Sequence, residues 1–107
     1  MSEEKTKVIF RRWRKNPRST LAMFPEIPSD VHGHDCMMYE HIGQHSGGCP
    51  ILVVQLTTPV NFGDKFGYGP LKKELETIGY DMEVRQRVTQ QMRQKRMDAI
   101  AAIAKGA

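Results

Sequence analysis

The spacing of apolar and polar residues predicts a chain made mainly of short β-strands. Residues 7–13 and 20–24 are rich in β-branched and aromatic side chains, and the short link between them is typical of a β-hairpin. Residues 35–42 alternate between two faces and are predicted to form the third strand. Residues 51–57 begin with a continuous apolar run and are expected to be the fourth strand and the surest part of the core. The regular alternation of residues 80–88 predicts a fifth strand, buried on one face and solvated on the other.

Two further segments have the features of helices. Within residues 70–78, three apolar side chains share one face: Leu71, Leu75 and Ile78. A proline lies in the first turn of this segment and Gly79 follows its end, as in many helices. We therefore expect a short helix that packs against the sheet.

The last part of the chain and the segments between the strands are less regular. Residues 89–104 have high helix propensity, but Arg96 interrupts their narrow apolar stripe, so this helix is interpreted as an arm. The two prolines of residues 25–28 are expected to end the second strand, because proline removes a backbone donor. The glycines of residues 43–48 and 59–69 indicate loops.

These elements predict an α+β fold in the order β-β-β-β-α-β-α. It is expected to be a mainly antiparallel sheet of about five strands with one packed helix and a C-terminal helical extension. A chain of 107 residues is one domain by size. We predict a single α+β domain over residues 7–88 and a basic helical extension over residues 89–107.

Charge is segregated along the chain. Residues 1–18 carry a net charge of +5, residues 19–84 of −6 and residues 85–107 of +5, which gives the chain its net charge of +4. The basic ends either form one surface that contacts an anionic partner, or pair with the acidic middle. Only the first arrangement is typical of a nucleic-acid-binding protein.

Composition also suggests where the protein acts. No apolar run approaches the roughly 20 residues that span a bilayer, and the charged N-terminus is not followed by the apolar core of a signal peptide. We therefore expect a cytoplasmic protein with no membrane partner and with Cys36 and Cys49 as thiols. No motif calls for a cofactor, and none is expected.

The basic ends supply the candidate binding residues. The arginines of the first strand suggest an edge position or a solvated face. If the first and last strands are neighbours, the arginines form one surface for nucleic acid or a host protein, and Trp13 is available to stack on a base. The other interpretation is a solvated face that pairs with Asp81 and Glu83. The candidates are Arg11, Arg12, Trp13, Arg14, Arg85, Arg87, Arg93 and Arg96.

A polar junction at the end of the third strand holds the candidates for acid–base chemistry. It gathers a phenol, two imidazoles and an amide: Tyr39, His41, Gln44 and His45. No nucleophile motif accompanies them. The alternative interpretation is a strand end whose side chains hydrogen-bond the loop backbone.

A second histidine group has some resemblance to a metal site. His32, His34 and Cys36 are spaced so that a strand would place them on one face. Their spacing does not match that of a standard zinc site, which needs four ligands in a tetrahedron. Solvent-exposed loop histidines are the other interpretation, and no metal is expected.

Two segments resemble a family of small uncharacterised proteins from bacteria, phages and mobile elements. They are Phe-Pro-Glu-Ile-Pro at residues 24–28 and His-Ile-Gly-Gln-His at residues 41–45, and the resemblance covers roughly residues 7–88. It implies a bacterial or phage accessory protein and no established activity. Residues 61–69 are more glycine-rich than the family pattern, and the chain from residue 89 onward extends beyond it.

The leading hypothesis is a non-enzymatic accessory binding protein that binds nucleic acid or a host protein through a basic face. One alternative is a small histidine-based enzyme or metal-binding protein that uses the junction from Tyr39 to His45. Another is a structural subunit that docks through its C-terminal helix. The oligomeric state is left open by the sequence.

Overall fold

One six-stranded sheet, with helices on both faces, organises the fold. A computed structural model of the chain describes residues 5–15, 19–40, 44–60 and 68–106. In chain order the elements are β1 (Thr6–Trp13), β2 (Thr20–Pro28), β3 (Cys36–Glu40), β4 (Gln44–Gly48), α1 (Pro50–Leu56), β5 (Thr57–Pro59), α2 (Tyr68–Ile78), β6 (Met82–Arg85) and α3 (Gln90–Gly106). The predicted α+β class and mainly antiparallel sheet are confirmed, although the order includes an additional helix and strand.

Strand β1 lies at the centre of the sheet. The antiparallel order is β4-β3-β2-β1-β5, and β6 runs parallel to β1. β5 and β6 share the same side of β1, because β5 pairs with Arg11–Trp13 while β6 pairs with Thr6–Ile9. The expectation of an edge position for β1 was therefore wrong. Arg11 instead lies on a strand with neighbours on both sides.

Alternation along the strands builds one core on each face of the sheet. Val8 and Phe10 point to the face that α2 covers through Leu71 and Leu75, as predicted for that helix. Ile9 points to the opposite face, which α1 and α3 cover. The alternation predicted for β3 is confirmed at the described positions, since Tyr39 belongs to the α2 face and Cys36 and Met38 to the other. This alternation also decides on which face of the sheet each side chain of the candidate site described below lies.

The predicted fourth strand over residues 51–57 was wrong. Pro50 begins helix α1, as proline often does, and only the last of these residues, Thr57, enters a strand. Within α1 only Pro50 and Val53 are buried, whereas Ile51, Leu52 and Leu56 are exposed. A short apolar run does not distinguish a buried strand from a helix, and here it is largely a solvent-facing helix.

The predicted end of β2 and the predicted loop after β3 were also wrong. β2 continues through both prolines to Pro28, and its register with β3 shifts between Phe24 and Pro28. This irregularity accommodates residues that lack a backbone N–H. Residues 44–48 form β4, which pairs antiparallel with β3 and is not a loop.

Three boundaries differ from the pattern. β6 is shorter than the predicted strand over residues 80–88, and Val88 packs in the core opposite to that of Val84. α2 begins at Tyr68, two residues earlier than expected, and Ile78 is exposed. Gly79 has a φ of 121°, which confirms the glycine cap. Of the loop predicted over residues 59–69, residues 61–67 lie outside the described residues.

The C-terminal helix α3 packs against β2. Met92 is buried in the same core as Ile9, and Arg96, the residue that interrupts the apolar stripe, is also buried. The predicted helix is thus confirmed, while the idea of a detached arm was wrong. The division of the chain into residues 7–88 and an extension stays a prediction.

A tight loop between β2 and β3 contacts α3 through Gly33. The Asp30 carboxylate accepts hydrogen bonds from the backbone N–H groups of Gly33, at 2.8 Å, and Asp35, at 3.3 Å. Gly33 has a φ of 76°, and a Cβ there would come within 2.5 Å of the sulfur of Met97 and 2.8 Å of Ile100. The positive φ favours glycine here, and any side chain would also force Met97 and Ile100 of α3 to shift.

The Asp30 carboxylate predicts a change of stability with pH. Desolvation raises its pKa, but the hydrogen bonds from Asp35 and Gly33, with His34 and His32 nearby, outweigh it and bring the pKa below the ordinary 3.8. Ionised Asp30 therefore stabilises the fold above pH 3.8, and this contribution is lost as the pH falls from there through the lowered pKa. Asp30→Asn retains an acceptor oxygen but does not titrate. We expect its free energy of unfolding, measured in urea, to fall less steeply with acid than that of the wild type.

Glu76→Gln serves as the control because Glu76 is exposed on α2 and is not part of the β2–β3 loop. It should follow the wild-type pH profile. Identical acid profiles for Asp30→Asn and the wild type would contradict the role given to Asp30.

Candidate anion-binding groove

A groove crosses the sheet face between α1 and the start of α3, and we call it the α1–α3 groove. It consists of two hollows that share Pro50, Ile51 and Val88 as walls. The first hollow, of about 490 Å³, extends over Ile9 and Arg11 of β1. The second, of about 290 Å³, extends toward the β2–β3 loop and the first turns of α3. The groove joins segments that are distant in the chain, because β1, the β2–β3 loop, α1 and the start of α3 all contribute lining residues.

Arg11 is buried beneath the first hollow, with 9% of its surface exposed. Its Nε donates to the Thr57 hydroxyl at 2.8 Å, and its Nη2 donates to the carbonyls of Val54 at 3.0 Å and Thr57 at 2.9 Å. These carbonyls lie at the C-terminal end of α1, where backbone acceptors lack helical partners and a positive charge is favourable. Arg11 thus fastens α1 to the sheet.

Arg96 has the equivalent position beside the second hollow, with 4% of its surface exposed. Its Nε donates to the carbonyl of Gly33 at 2.8 Å, and its Nη1 donates to that of Pro25 at 2.7 Å. The first bond fixes the β2–β3 loop and the second fixes β2. Arg96 therefore holds α3 against the sheet as Arg11 holds α1.

Neither buried guanidinium has a carboxylate partner in the described part of the chain. The ion pairs found there are Lys5–Asp81, Lys7–Glu26 and Arg85–Glu83. Burial lowers the pKa of Arg11 below its ordinary value, and the positive charge of Arg14 lowers it further, but arginine stays charged at neutral pH. Carbonyl dipoles satisfy the N–H groups without neutralising the charge. The floor of the groove is therefore cationic.

The rim of the groove adds more positive charge. Arg87 lines the first hollow and Arg93 the second, and both are exposed. His34 lines the second hollow as well. Among the described lining residues there is no aspartate or glutamate. An anion that enters the groove thus meets cationic side chains on several sides.

The other predicted binding residues lie away from the groove or are already paired. Arg12 follows Arg11 on β1, so alternation directs it to the α2 face, where its Nε donates to the Thr58 hydroxyl at 3.2 Å. Arg14 donates to the Thr57 carbonyl at 3.4 Å, and Trp13 is half-buried against the core that contains Ile9. Arg85 pairs with Glu83 at 2.9 Å within β6 itself, whereas the solvated-face interpretation expected pairing across strands.

Tyr39 of the predicted catalytic junction is buried, with 1% of its surface exposed. Its hydroxyl donates to the Glu74 carboxylate at 2.6 Å, which links β3 to α2. Gln44 and His45 lie on β4, paired with Glu40 and Tyr39, and nothing is described of their side chains. His41 lies outside the described residues, so the junction stays a prediction.

The weak candidates for metal ligation do not form a metal site among the described residues. His32 and His34 are exposed, with ring centroids 6.1 Å apart, whereas Cys36 is buried in the core. Burial raises the pKa of the Cys36 thiol to about 12, although Arg96 opposes this shift. A metal needs the thiolate, so burial disfavours ligation. No group of three or more histidine, cysteine or acidic side chains suited to a metal occurs in the described ranges.

Comparison with known proteins leaves the groove without a precedent. The chain matches no protein-family model, no curated protein and no solved structure. In residues 5–15, 19–40, 44–60 and 68–106, none of the helices combines the length and the apolarity that a membrane crossing requires.

Sequence reasoning missed the apolar walls of the groove. Pro50, Ile51 and Val88 were placed beside or within strands, with Ile51 expected in the core and Val88 on a buried face, so neither was expected at an open surface. The proline that starts α1 was the available signal.

Replacing Arg96 is expected to destabilise the protein. Arg96→Met keeps the length of the side chain but leaves the carbonyls of Pro25 and Gly33 without donors. Since each unsatisfied buried carbonyl costs about 1–3 kcal/mol, we expect a loss of about 3 kcal/mol in the free energy of unfolding in urea. Arg93→Met, on the exposed side of the same helix, should change it by less than about 0.5 kcal/mol. Equal effects of the two substitutions would show that Arg96 is not an anchor.

The two thiols should differ in reactivity. Cys36 is buried with a raised pKa, whereas Cys49 is half-buried and lines the second hollow. Because the thiolate is the reactive form, iodoacetamide at neutral pH should label Cys49 in the folded protein and both residues in urea. Mass spectrometry of the labelled peptides measures this, with Cys49→Ser as the control. Rapid labelling of Cys36 in the folded protein would contradict its burial.

Proposed function

We propose that the protein is a non-enzymatic binding protein for nucleic acid and that the α1–α3 groove is its contact surface. The observation that carries the proposal is the pair of buried guanidinium groups, Arg11 and Arg96, that open onto one groove without a described carboxylate partner. Burying charge without a counter-charge is costly in a protein. A bound phosphate would supply the missing negative charge.

The exposed arginines on the rim support the same function. Arg87 and Arg93 make no ion pair with a described residue, so their charge is available to a ligand. Arginine recognises phosphate well, because its planar group presents several donors. A ligand that runs along the groove would contact Arg87 in one hollow and Arg93 in the other. A polymer with repeated phosphates suits this arrangement better than a single small anion.

The proposal extends to the setting in which the protein acts. The Phe-Pro-Glu-Ile-Pro and His-Ile-Gly-Gln-His segments favour an accessory protein of bacterial, phage or mobile-element type. A cytoplasmic location fits a nucleic-acid ligand. In this role the protein occupies its partner and performs no chemistry on it.

The test is the binding of fluorescently labelled oligonucleotides, followed by anisotropy over a series of salt concentrations. The double variant Arg87→Gln/Arg93→Gln should weaken binding about tenfold, because it removes two phosphate contacts. The slope of log affinity against log salt should become shallower by about 0.7–0.9 for each lost contact. Both side chains are exposed, so the fold should be retained.

Arg85→Gln is the matched control. It removes one exposed arginine that pairs with Glu83 and does not line the groove. Its affinity and salt slope should remain close to those of the wild type. Absence of binding to any oligonucleotide at low salt would refute the function, and equal losses for the control and the double variant would refute the site.

A protein partner is the second candidate. Leu52 and Leu56 are more than half exposed on α1, which carries no charged residue. Exposed apolar side chains on one helix favour contact with another protein. Binding to a purified protein that is insensitive to salt, and is lost in Leu52→Ser/Leu56→Ser, would support this candidate.

A further inference from the structure

Ile51 has an unusual position at the boundary between the two hollows. It lines both of them, and 69% of its surface is exposed. Pro50 and Val88 complete this boundary, so an apolar saddle separates two cationic hollows. A ligand that reaches both hollows must cross the saddle. It needs negative charge at two places and an apolar surface between them.

The faces of α1 show that this saddle belongs to the groove. Ile51, Val54 and Gln55 line the first hollow. Leu52, with 56% of its surface exposed, lines neither hollow. Its separation from Ile51 follows from the rotation of about 100° for each residue of a helix. The two exposed side chains are therefore neighbours in sequence, with only one of them directed along the groove.

We infer that the groove takes single-stranded nucleic acid, with an unpaired nucleobase on Ile51 and the flanking phosphates in the two hollows. This inference rests on the proposed function and specifies its ligand. Unpaired bases expose apolar faces that pack on protein side chains, whereas the bases of a duplex are stacked on one another and offer no such face. Of the two, only a single strand can place an unpaired base on Ile51 and its flanking phosphates in both hollows.

The shape and charge of the surface also disfavour a duplex. A duplex is read by a convex helix placed in its major groove, with basic residues toward the phosphates. α1 carries no basic residue, and two of the cationic groups of the site, Arg11 and Arg96, are buried in the recess beside it. On α3, Arg96 faces the sheet and is used to hold the helix. A flexible single strand can enter the recess that a rigid duplex would only span.

The hollows also offer neutral polar groups at their edges. Gln55 and Gln86 line the first, and Thr89 and Gln90 line the second. Amide and hydroxyl groups can hydrogen-bond to the sugar or to the edge of a base. They provide polar contacts without reading one particular sequence, so a modest base preference is expected.

The experiment compares a labelled oligothymidine with a duplex of equal length that contains the same strand, using the full chain in anisotropy titrations. The wild type should bind the single strand more tightly. Ile51→Ser should weaken this binding by up to about fivefold, since fivefold is the low end of the range for base stacking on aromatic side chains and isoleucine offers only apolar contact. Its salt slope should be unchanged, because no charge is removed. Duplex binding should not respond to the substitution.

Leu52→Ser is the matched control, since it removes an exposed apolar side chain from the same helix. Its affinity for the single strand should equal that of the wild type. Equal weakening by Leu52→Ser and Ile51→Ser, or tighter binding of the duplex, would overturn the inference. The comparison of single strand with duplex uses the wild type, so it tests the preference for single-stranded nucleic acid even if a substitution disturbs α1.

The outcomes separate the inference from the proposed function. If the duplex binds with an affinity that falls in Arg87→Gln/Arg93→Gln but not in Ile51→Ser, the nucleic-acid function stands and the single-strand inference fails. If neither oligonucleotide binds at low salt, both fail. If the single strand binds and only Ile51→Ser and the arginine variant weaken it, both are supported.

Discussion

The guanidinium of Arg96 fixes the position of the C-terminal helix. It donates to Pro25 at 2.7 Å and to Gly33 at 2.8 Å, so one side chain holds α3 to a strand and to the loop that follows it. Gly33 can lie there only because its positive φ and missing side chain let Met97 approach. The first turns of α3 then form one wall of the groove. The second wall of the groove therefore depends on the two buried hydrogen bonds of Arg96.

Arg11 does the same for the opposite wall. It binds the C-terminal carbonyls of α1, a helix of seven residues that would be only marginally stable alone. Both walls are thus held by cations that bind neutral acceptors. Carboxylate partners would have fastened the helices equally well but would have cancelled the charge. The same two side chains anchor the helices and make the groove cationic, so a substitution of either one changes both the stability of the fold and the charge of the groove.

Much of the sheet could be predicted from the sequence, and the site only in part. The β-branched and aromatic composition of residues 7–13 identified β1, and the alternation in residues 35–42 identified β3. The run from Ile51 to Val54 carried no such period, and it was assigned to a strand although it forms a helix. The arginines were named, but their separation into buried anchors and exposed rim was not. Which arginines are buried depends on which strand lies at the centre of the sheet. The local sequence pattern predicts strands, but it does not show which strands pair with one another.

The bonds of Arg96 have a further consequence for how the site is made. They join residues that are 71 and 63 positions apart in the chain, so no local segment can form them. Contacts of such long range must overcome a large loss of chain entropy before they stabilise anything. During synthesis the sheet strands β1 to β4 emerge well before residue 96, and the groove gains its second wall only afterwards. During synthesis the sheet is therefore available before the second wall of the candidate groove can form.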